Sequence, residues 1–203
     1  MIGIIDYGLG NINAFCNVYR HLNLPVTAVH TADELEGCDH LILPGVGAFD
    51  NAIEKLNASG MRPTITRRVI EEKVPILGIC VGMQMLANSS EEGQLPGLGW
   101  VPGTVKRFDP ARIAERTKLP HMGWNNVRIG NSPLFRNLEQ DSRFYFIHSY
   151  YFVPDDPSHC LAHSEYGGAF ASAVGRDKIF GVQFHPEKSH APGIALLKNF
   201  AEL

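Results

Sequence analysis

Three stretches of the chain carry groups suited to chemistry. In Val74-Pro75-Ile76-Leu77-Gly78-Ile79-Cys80-Val81-Gly82-Met83-Gln84 an apolar run enters G-x-C-x-G and then a helical pattern. This is the nucleophile-elbow pattern with cysteine in place of serine. A sharp strand-to-helix turn leaves no room for side chains beside the nucleophile, and it lifts the sulfur to the carboxyl edge of a sheet above a helix N-terminus that favours an anion. Taken alone, the motif describes equally well a buried cysteine between two packing glycines. In Phe180-Gly181-Val182-Gln183-Phe184-His185-Pro186-Glu187-Lys188 the side chains of His185 and Glu187 fall on one side of an extended segment, and Pro186 holds His185 extended. A carboxylate so placed orients the imidazole and stabilises its cation, although an isolated H-P-E also suits a solvated surface turn. Together the two stretches supply a nucleophile, a base and an orienter.

The third stretch, Leu43-Pro44-Gly45-Val46-Gly47-Ala48-Phe49, follows an apolar run and opens a helical one. Backbone N–H groups freed by its glycines could face a developing oxyanion. The phosphate-loop rival lacks the G-x-x-x-x-G-K-[ST] spacing. Asp6-Tyr7-Gly8-Leu9-Gly10-Asn11-Ile12-Asn13 begins like a dinucleotide fingerprint but has no third glycine.

The elements that must hold these groups follow from periodicity. Ile2 to Ile5, Val26 to Val29, His40 to Leu43 and Val74 to Ile79 read as buried strands. Between them, helical spacing links Ile12, Phe15, Tyr19 and Leu22, then Phe49, Ile53 and Leu56, then Met61 to Glu72, and a further helix is expected over Met83 to Asn88. Strand and helix in alternation imply an α/β, flavodoxin-like fold with a mostly parallel central sheet. Gly97 to Val105, Phe144 to Phe152, Ala169 to Val174 and Lys178 to Phe184 are closely spaced and strand-like, so the second half is expected to add a smaller antiparallel or mixed sheet before a closing helix over Ile194 to Phe200. The loop Asp109 to Leu119 has little periodicity and is expected to be the most mobile segment.

The chain has 203 residues, 44% of them hydrophobic and 19% charged, which suits one folded domain over residues 1–203. A net charge of −3 gives no basic footprint for nucleic acid. No apolar run approaches the ~20 residues of a membrane span, so a soluble, cytoplasmic protein is expected. The four cysteines, at 16, 38, 80 and 160, form no C-x-x-C pair, so neither zinc nor a disulfide framework is expected and no cofactor is called for. Cys16, Cys38 and Cys160 read as small packing side chains.

These motifs resemble the class I, or triad, glutamine amidotransferases. Pro120-His121-Met122-Gly123-Trp124-Asn125, Tyr145-Phe146-Ile147-His148-Ser149-Tyr150, the Pro-Gly-Val-Gly loop and the closing Leu196-Leu197-Lys198-Asn199-Phe200 extend the likeness nearly end to end, and most closely to the glutaminase subunits of imidazole glycerol phosphate synthases. The resemblance implies that Cys80 attacks the glutamine carboxamide, with His185 as general acid and base and Glu187 as orienter. It further implies an oxyanion hole from Val81 and from Val46 or Gly47, and glutamine held by Gly45, Gln84, His148, Ser149 and Tyr150. It implies a βα-barrel cyclase partner that takes up the ammonia for histidine biosynthesis, with Met122, Trp124, Tyr145 and Lys188 facing it. Ile12-Asn13-Ala14-Phe15 and His190 depart from the usual residues near that face. A paralogous glutaminase serving acetamidino-sugar synthesis for bacterial surface polysaccharide is the second reading. A non-enzymatic thiol sensor of the same fold is the third.

Overall fold

The computed structural model describes residues 1–115 and 118–203. Its first part alternates β1 (Ile2–Ile5), α1 (Ile12–His21), β2 (Val26–Val29), β3 (His40–Gly45), α2 (Phe49–Ala58), α3 (Arg62–Thr66), β4 (Ile76–Cys80) and α4 (Val81–Gln84). The second part runs through β5 (Ser89–Ser90), β6 (Gly103–Arg107), β7 (His121–Ile129), β8 (Ser142–His148), β9 (Tyr150–Pro154), β10 (Cys160–Glu165), β11 (Ala169–Arg176) and β12 (Ile179–Val182) to α5 (His190–Ala201).

The order across the sheet is β2-β1-β3-β4-β12-β11-β10-β7-β8, with β9 branching from β11 to β6. Pairing is parallel from β2 to β12 and antiparallel from β12 to β8. The antiparallel strands thus extend the parallel sheet from its β12 edge. Strands β1, β4 and β12 are buried along their whole length, as their unbroken apolar sequences require when both faces are covered. One hydrophobic core runs through both halves, from Ile4 and Phe15 to Phe146 and Phe200.

Several expectations change. The helix expected over Met83 to Asn88 ends after one turn, because the carbonyls of Met85, Leu86 and Ala87 accept N–H groups from Leu98, Val101 and Gly99 instead of from the next helical turn. The same contacts hold residues 97–101 out of a sheet, so the strand expected from Gly97 begins only at Gly103. The segment expected over Met61 to Glu72 is helical, passing from α3 into a π turn at Arg67–Glu71. Strands β5, β7 and β10 lie where no strand was expected, and the single strand expected over Phe144 to Phe152 breaks at Ser149 into β8 and β9, which pair with different neighbours. Part of the loop expected to be mobile, residues 109–119, lies outside the described residues; within it Asp109 accepts the Ala111 N–H and starts a short turn.

Candidate active site

Cys80 ends β4 and caps α4 with φ 56° and ψ −112°, a conformation that a residue with a Cβ adopts only under constraint. The constraint is the approach of α4 to β3. A Cβ on Gly82 would stand 1.9 Å from the Leu43 carbonyl oxygen, so only glycine fits at this place in the elbow. Cys80 is 5% exposed, and its sulfur lies 3.8 Å from Gln183 Nε2 and 3.9 Å from the Ile147 carbonyl oxygen.

His185 leaves the end of β12 and is stitched to β8. Its N–H donates to the Tyr145 carbonyl at 2.8 Å, while Ser189 Oγ donates to the His185 carbonyl at 2.6 Å and accepts the Tyr145 N–H at 3.0 Å. His185 Nδ1 lies 2.9 Å from Glu187 Oε1, and both side chains are almost fully buried. That leaves Nε2 buried and without a hydrogen-bond partner of its own. Burial alone would push the imidazole pKa down, but the interactions with nearby Cys80 and with Glu187 carry it up to about 10. The site therefore stabilises an imidazolium between a sulfur and a carboxylate.

A cavity of about 400 Å³ opens above the pair. Its walls include Cys80, Val81, Gln84, His185 and Lys188, with Val46 and Gly47 on one side and His148, Ser149 and Tyr150 on another. Gly45 sits beneath, buried and paired in register with Cys80. Val81 opens α4, so its N–H precedes the helical ladder and is not used by it. The loop after β1 buttresses the opposite wall: Tyr7 Oη donates to the Pro44 carbonyl at 2.7 Å, and a Cβ on Gly10, at φ 102°, would stand 2.6 Å from Pro44 Cβ.

The remaining expected residues lie outside the cavity, except that Lys188 touches both groups. Met122 is 60% exposed and Trp124 40% exposed, and they pair across β7 and β8 with Ile147 and Tyr145. Lys188 Nζ lies 5.8 Å from the centroid of the Tyr145 ring. Trp124 stacks on His190 at 5.2 Å and 9°, which gives that unusual residue a place on the same face.

Several site residues escaped the sequence reading. Glu92, the cavity's one acidic wall residue, accepts the Phe49 N–H at 2.9 Å, and burial pushes its pKa up. Gln183 touches the sulfur, and buried His121 and half-buried Asn125 join His148 in a polar chain. Glu92 lies in a stretch without motif character, whereas Gln183 and His121 sit inside recognisable motifs, beside more reactive neighbours that draw the eye first. Among the described residues no group of three or more His, Cys, Asp or Glu side chains is placed to hold a metal ion.

Residues 3–203 match the family model for glutamine amidotransferase class-I. The chain belongs to the class-I glutamine amidotransferases. It is similar along its whole length to proteins named imidazole glycerol phosphate synthase subunit HisH: 57% identical to that of Bdellovibrio bacteriovorus and 50% to that of Leptospira interrogans, with all of both chains covered in each case. A Pseudomonas aeruginosa protein named subunit HisH 2 is 46% identical, again over all of both chains. Among solved structures, a glutamine amidotransferase superposes with a TM-score of 0.75 over 98% of each chain at 20% identity. A putative GMP synthase component from Thermoplasma acidophilum reaches 0.73 at 23% identity, covering 99% of this chain and 92% of its own. These two share the fold. The amidotransferase fold thus accounts for the parallel sheet with Cys80 at its carboxyl edge. No helix among the described residues is long and apolar enough to cross a membrane.

Proposed function

We propose that this chain is the glutaminase subunit of an imidazole glycerol phosphate synthase, hydrolysing glutamine for histidine biosynthesis through Cys80, His185 and Glu187. The observation that carries the reading is the buried His185–Glu187 pair sharing one cavity with a strained elbow cysteine, in a chain alike end to end with the HisH subunits. A thiol sensor has no use for the orienting carboxylate.

Cys80 Sγ attacks the glutamine carboxamide carbon, and the oxygen that gains charge is held by the Val81 N–H and an N–H from the Val46–Gly47 loop. His185 delivers the proton from Cys80 to the departing amine, releasing ammonia and leaving a glutamyl thioester. It then takes a proton from water, whose oxygen attacks the thioester; glutamate leaves and the thiol is restored. Glu187 holds the ring and offsets its positive charge throughout. Gln84, Gly45 and the His148-Ser149-Tyr150 wall hold the substrate, and Glu92 is suited to its α-ammonium group.

Ammonia passes to a βα-barrel cyclase subunit docked on the exposed apolar face of Met122, Trp124, Ile147 and Val46, with Tyr145 and Lys188 beside the exit. Exposed apolar side chains grouped at the rim of an active site mark an interaction surface. We read residues 1–203 as one amidotransferase domain and the protein as cytoplasmic. The test is glutamate release by the purified chain, alone and with the histidine-pathway barrel and its ribonucleotide ligand. Stimulation of about tenfold or more, ~1.4 kcal/mol of barrier, is expected. Hydrolysis without stimulation would move the reading to the surface-sugar pathway.

A further inference from the structure

Between the cavity and β10 lies a chain of hydrogen bonds, buried at His121 and His148 and partly exposed at Asn125, whose direction is fixed at both ends. The Tyr150 carbonyl only accepts, so His148 Nδ1, 2.8 Å away, carries a proton and donates it. In a neutral ring that leaves His148 Nε2 as an acceptor, and its partner at 2.9 Å is His121 Nδ1, which must then be the donor. His121 Nε2 accepts in turn from Asn125 Nδ2 at 3.2 Å. The Asn125 amide cannot flip without loss, because Nδ2 also donates to the Glu165 carbonyl at 2.9 Å and Oδ1 accepts the Asn126 N–H at 2.8 Å.

The same Tyr150 carbonyl is the turning point towards the nucleophile. It accepts from Gln84 Nε2 at 3.1 Å, and the other Nε2 proton of Gln84 goes to Gln183 Oε1 at 3.0 Å. Gln183 Nε2 faces Cys80 Sγ at 3.8 Å. Both amide protons of Gln84 are thereby committed, and its Oε1 is the atom left to accept a hydrogen bond from a molecule in the cavity. A flipped Gln84 amide would set oxygen against oxygen at Tyr150.

We infer that His121 and His148 are positioning residues of the glutaminase: two neutral imidazoles, each protonated on Nδ1, that pin the Tyr150 carbonyl and so fix the Gln84 amide presented to glutamine. The inference rests on the glutaminase reading for its link to substrate. Neither ring can carry a second proton without setting N–H against N–H, at His121 for His148 and at Asn125 for His121. Among the described residues the ionising groups facing the pair are His185 and Tyr166, whose hydroxyl donates to the Lys118 carbonyl; the other walls are Phe108, Phe146 and Phe170. Burial pushes the His121 pKa down to about 4; burial, with lesser help from His121, pushes that of His148 down to about 3, in keeping with the arrangement.

His121→Phe is the informative variant, because it keeps the stacking on Phe146 at 4.9 Å and Tyr166 at 4.1 Å and removes only the hydrogen bonds. With the acceptor His148 Nε2 left unpaired, KM for glutamine is expected to rise about tenfold with a smaller change in kcat. A lower melting temperature with KM unmoved would overturn the inference and leave the pair a packing element. Nitrogen-15 NMR of the histidines in the wild-type full chain tests it without any variant. Both rings neutral and protonated on Nδ1 from pH 7 to 5 is the expected result, and an Nε2–H tautomer or an imidazolium at either ring at pH 7 would overturn it. Absence of glutamate release by the wild type would remove the glutaminase reading while leaving the tautomer result standing, so the two failures are distinguishable.

Discussion

The parallel half of the sheet, from β2 to β12, places Cys80 by backbone contact, whereas the antiparallel half, from β11 to β8, supports the site through side chains. At the elbow the decisive distance is that from Gly82 to the Leu43 carbonyl, where no side chain intervenes and a single Cβ would collide. Across β7 and β8 the decisive groups are two imidazoles, the amides they reach and the hydroxyl of Ser189, whose hydrogen bonds fix one another's direction. Backbone packing holds Cys80 in one strained geometry, and a network of side-chain hydrogen bonds holds the groups around it. His185 sits on the seam, at the end of a parallel strand but tied to β8.

The contrast is tested hardest at the seam. Glu187→Gln keeps the shape but removes the charge that favours the imidazolium, and kcat for glutamate release should fall by about 10²- to 10⁴-fold, read by coupled glutamate assay. A loss under tenfold would mean that His185 is oriented by something else. Next in size is Gly82→Ala, which should destabilise the protein by about 2–3 kcal/mol in urea unfolding, because β3 must give way. An unchanged midpoint would contradict the backbone account of the elbow.

Protonation divides the two regions further, since they respond to pH with opposite sign. The folded-state pKa of His185 is raised from near 6.5 to about 10, so its contribution to stability is fully present below pH 6.5 and is lost as pH rises through 10. For His121 and His148 the folded values are lowered, to about 4 and about 3, so the unfolded chain takes up protons first as pH falls. Their contribution is present above pH 6.5 and lost between that value and the folded pKa values. Urea midpoints measured across pH 4 to 10 should therefore decline at both ends, and Glu187→Gln should flatten the alkaline limb while leaving the acid limb in place. The smallest effect belongs to the docking face: Trp124→Ala should weaken binding of the barrel partner by about tenfold, ~1.4 kcal/mol, by calorimetry.

The same division governs what the sequence made legible. In the parallel half, β1, α1, β4 and α2 follow from apolar runs and helical spacing, because strands buried on both faces and amphipathic helices leave strong local patterns. The elbow was visible because a close backbone approach permits glycine alone. Beyond Gln84 the local signal failed: residues 85–87 are apolar enough for a helix, but distant N–H groups take their carbonyls. Strand β7 shows one face to solvent and mixes Met122 and Trp124 with Asn126 and Arg128 there, so its alternation is blurred. Strand β10 is built from small and polar residues whose pairing with β11 and β7 depends on strands elsewhere in the chain. The motifs pointed to Cys80, His185 and Glu187, and the structure pairs the last two and puts Cys80 and His185 on one cavity. Glu92 and the His121–His148 pair were not legible, since their roles come from neighbours far apart in the chain.

Whether Cys80 is the nucleophile of a glutamine site is decided by covalent labelling of the native chain with a glutamine-analogue electrophile, mapped by mass spectrometry, with and without glutamine as competitor. One label per chain, on Cys80 and suppressed by glutamine, is the expected result. Labelling of Cys16, Cys38 or Cys160 in its place, or no label on a chain that still releases glutamate, would refute that role.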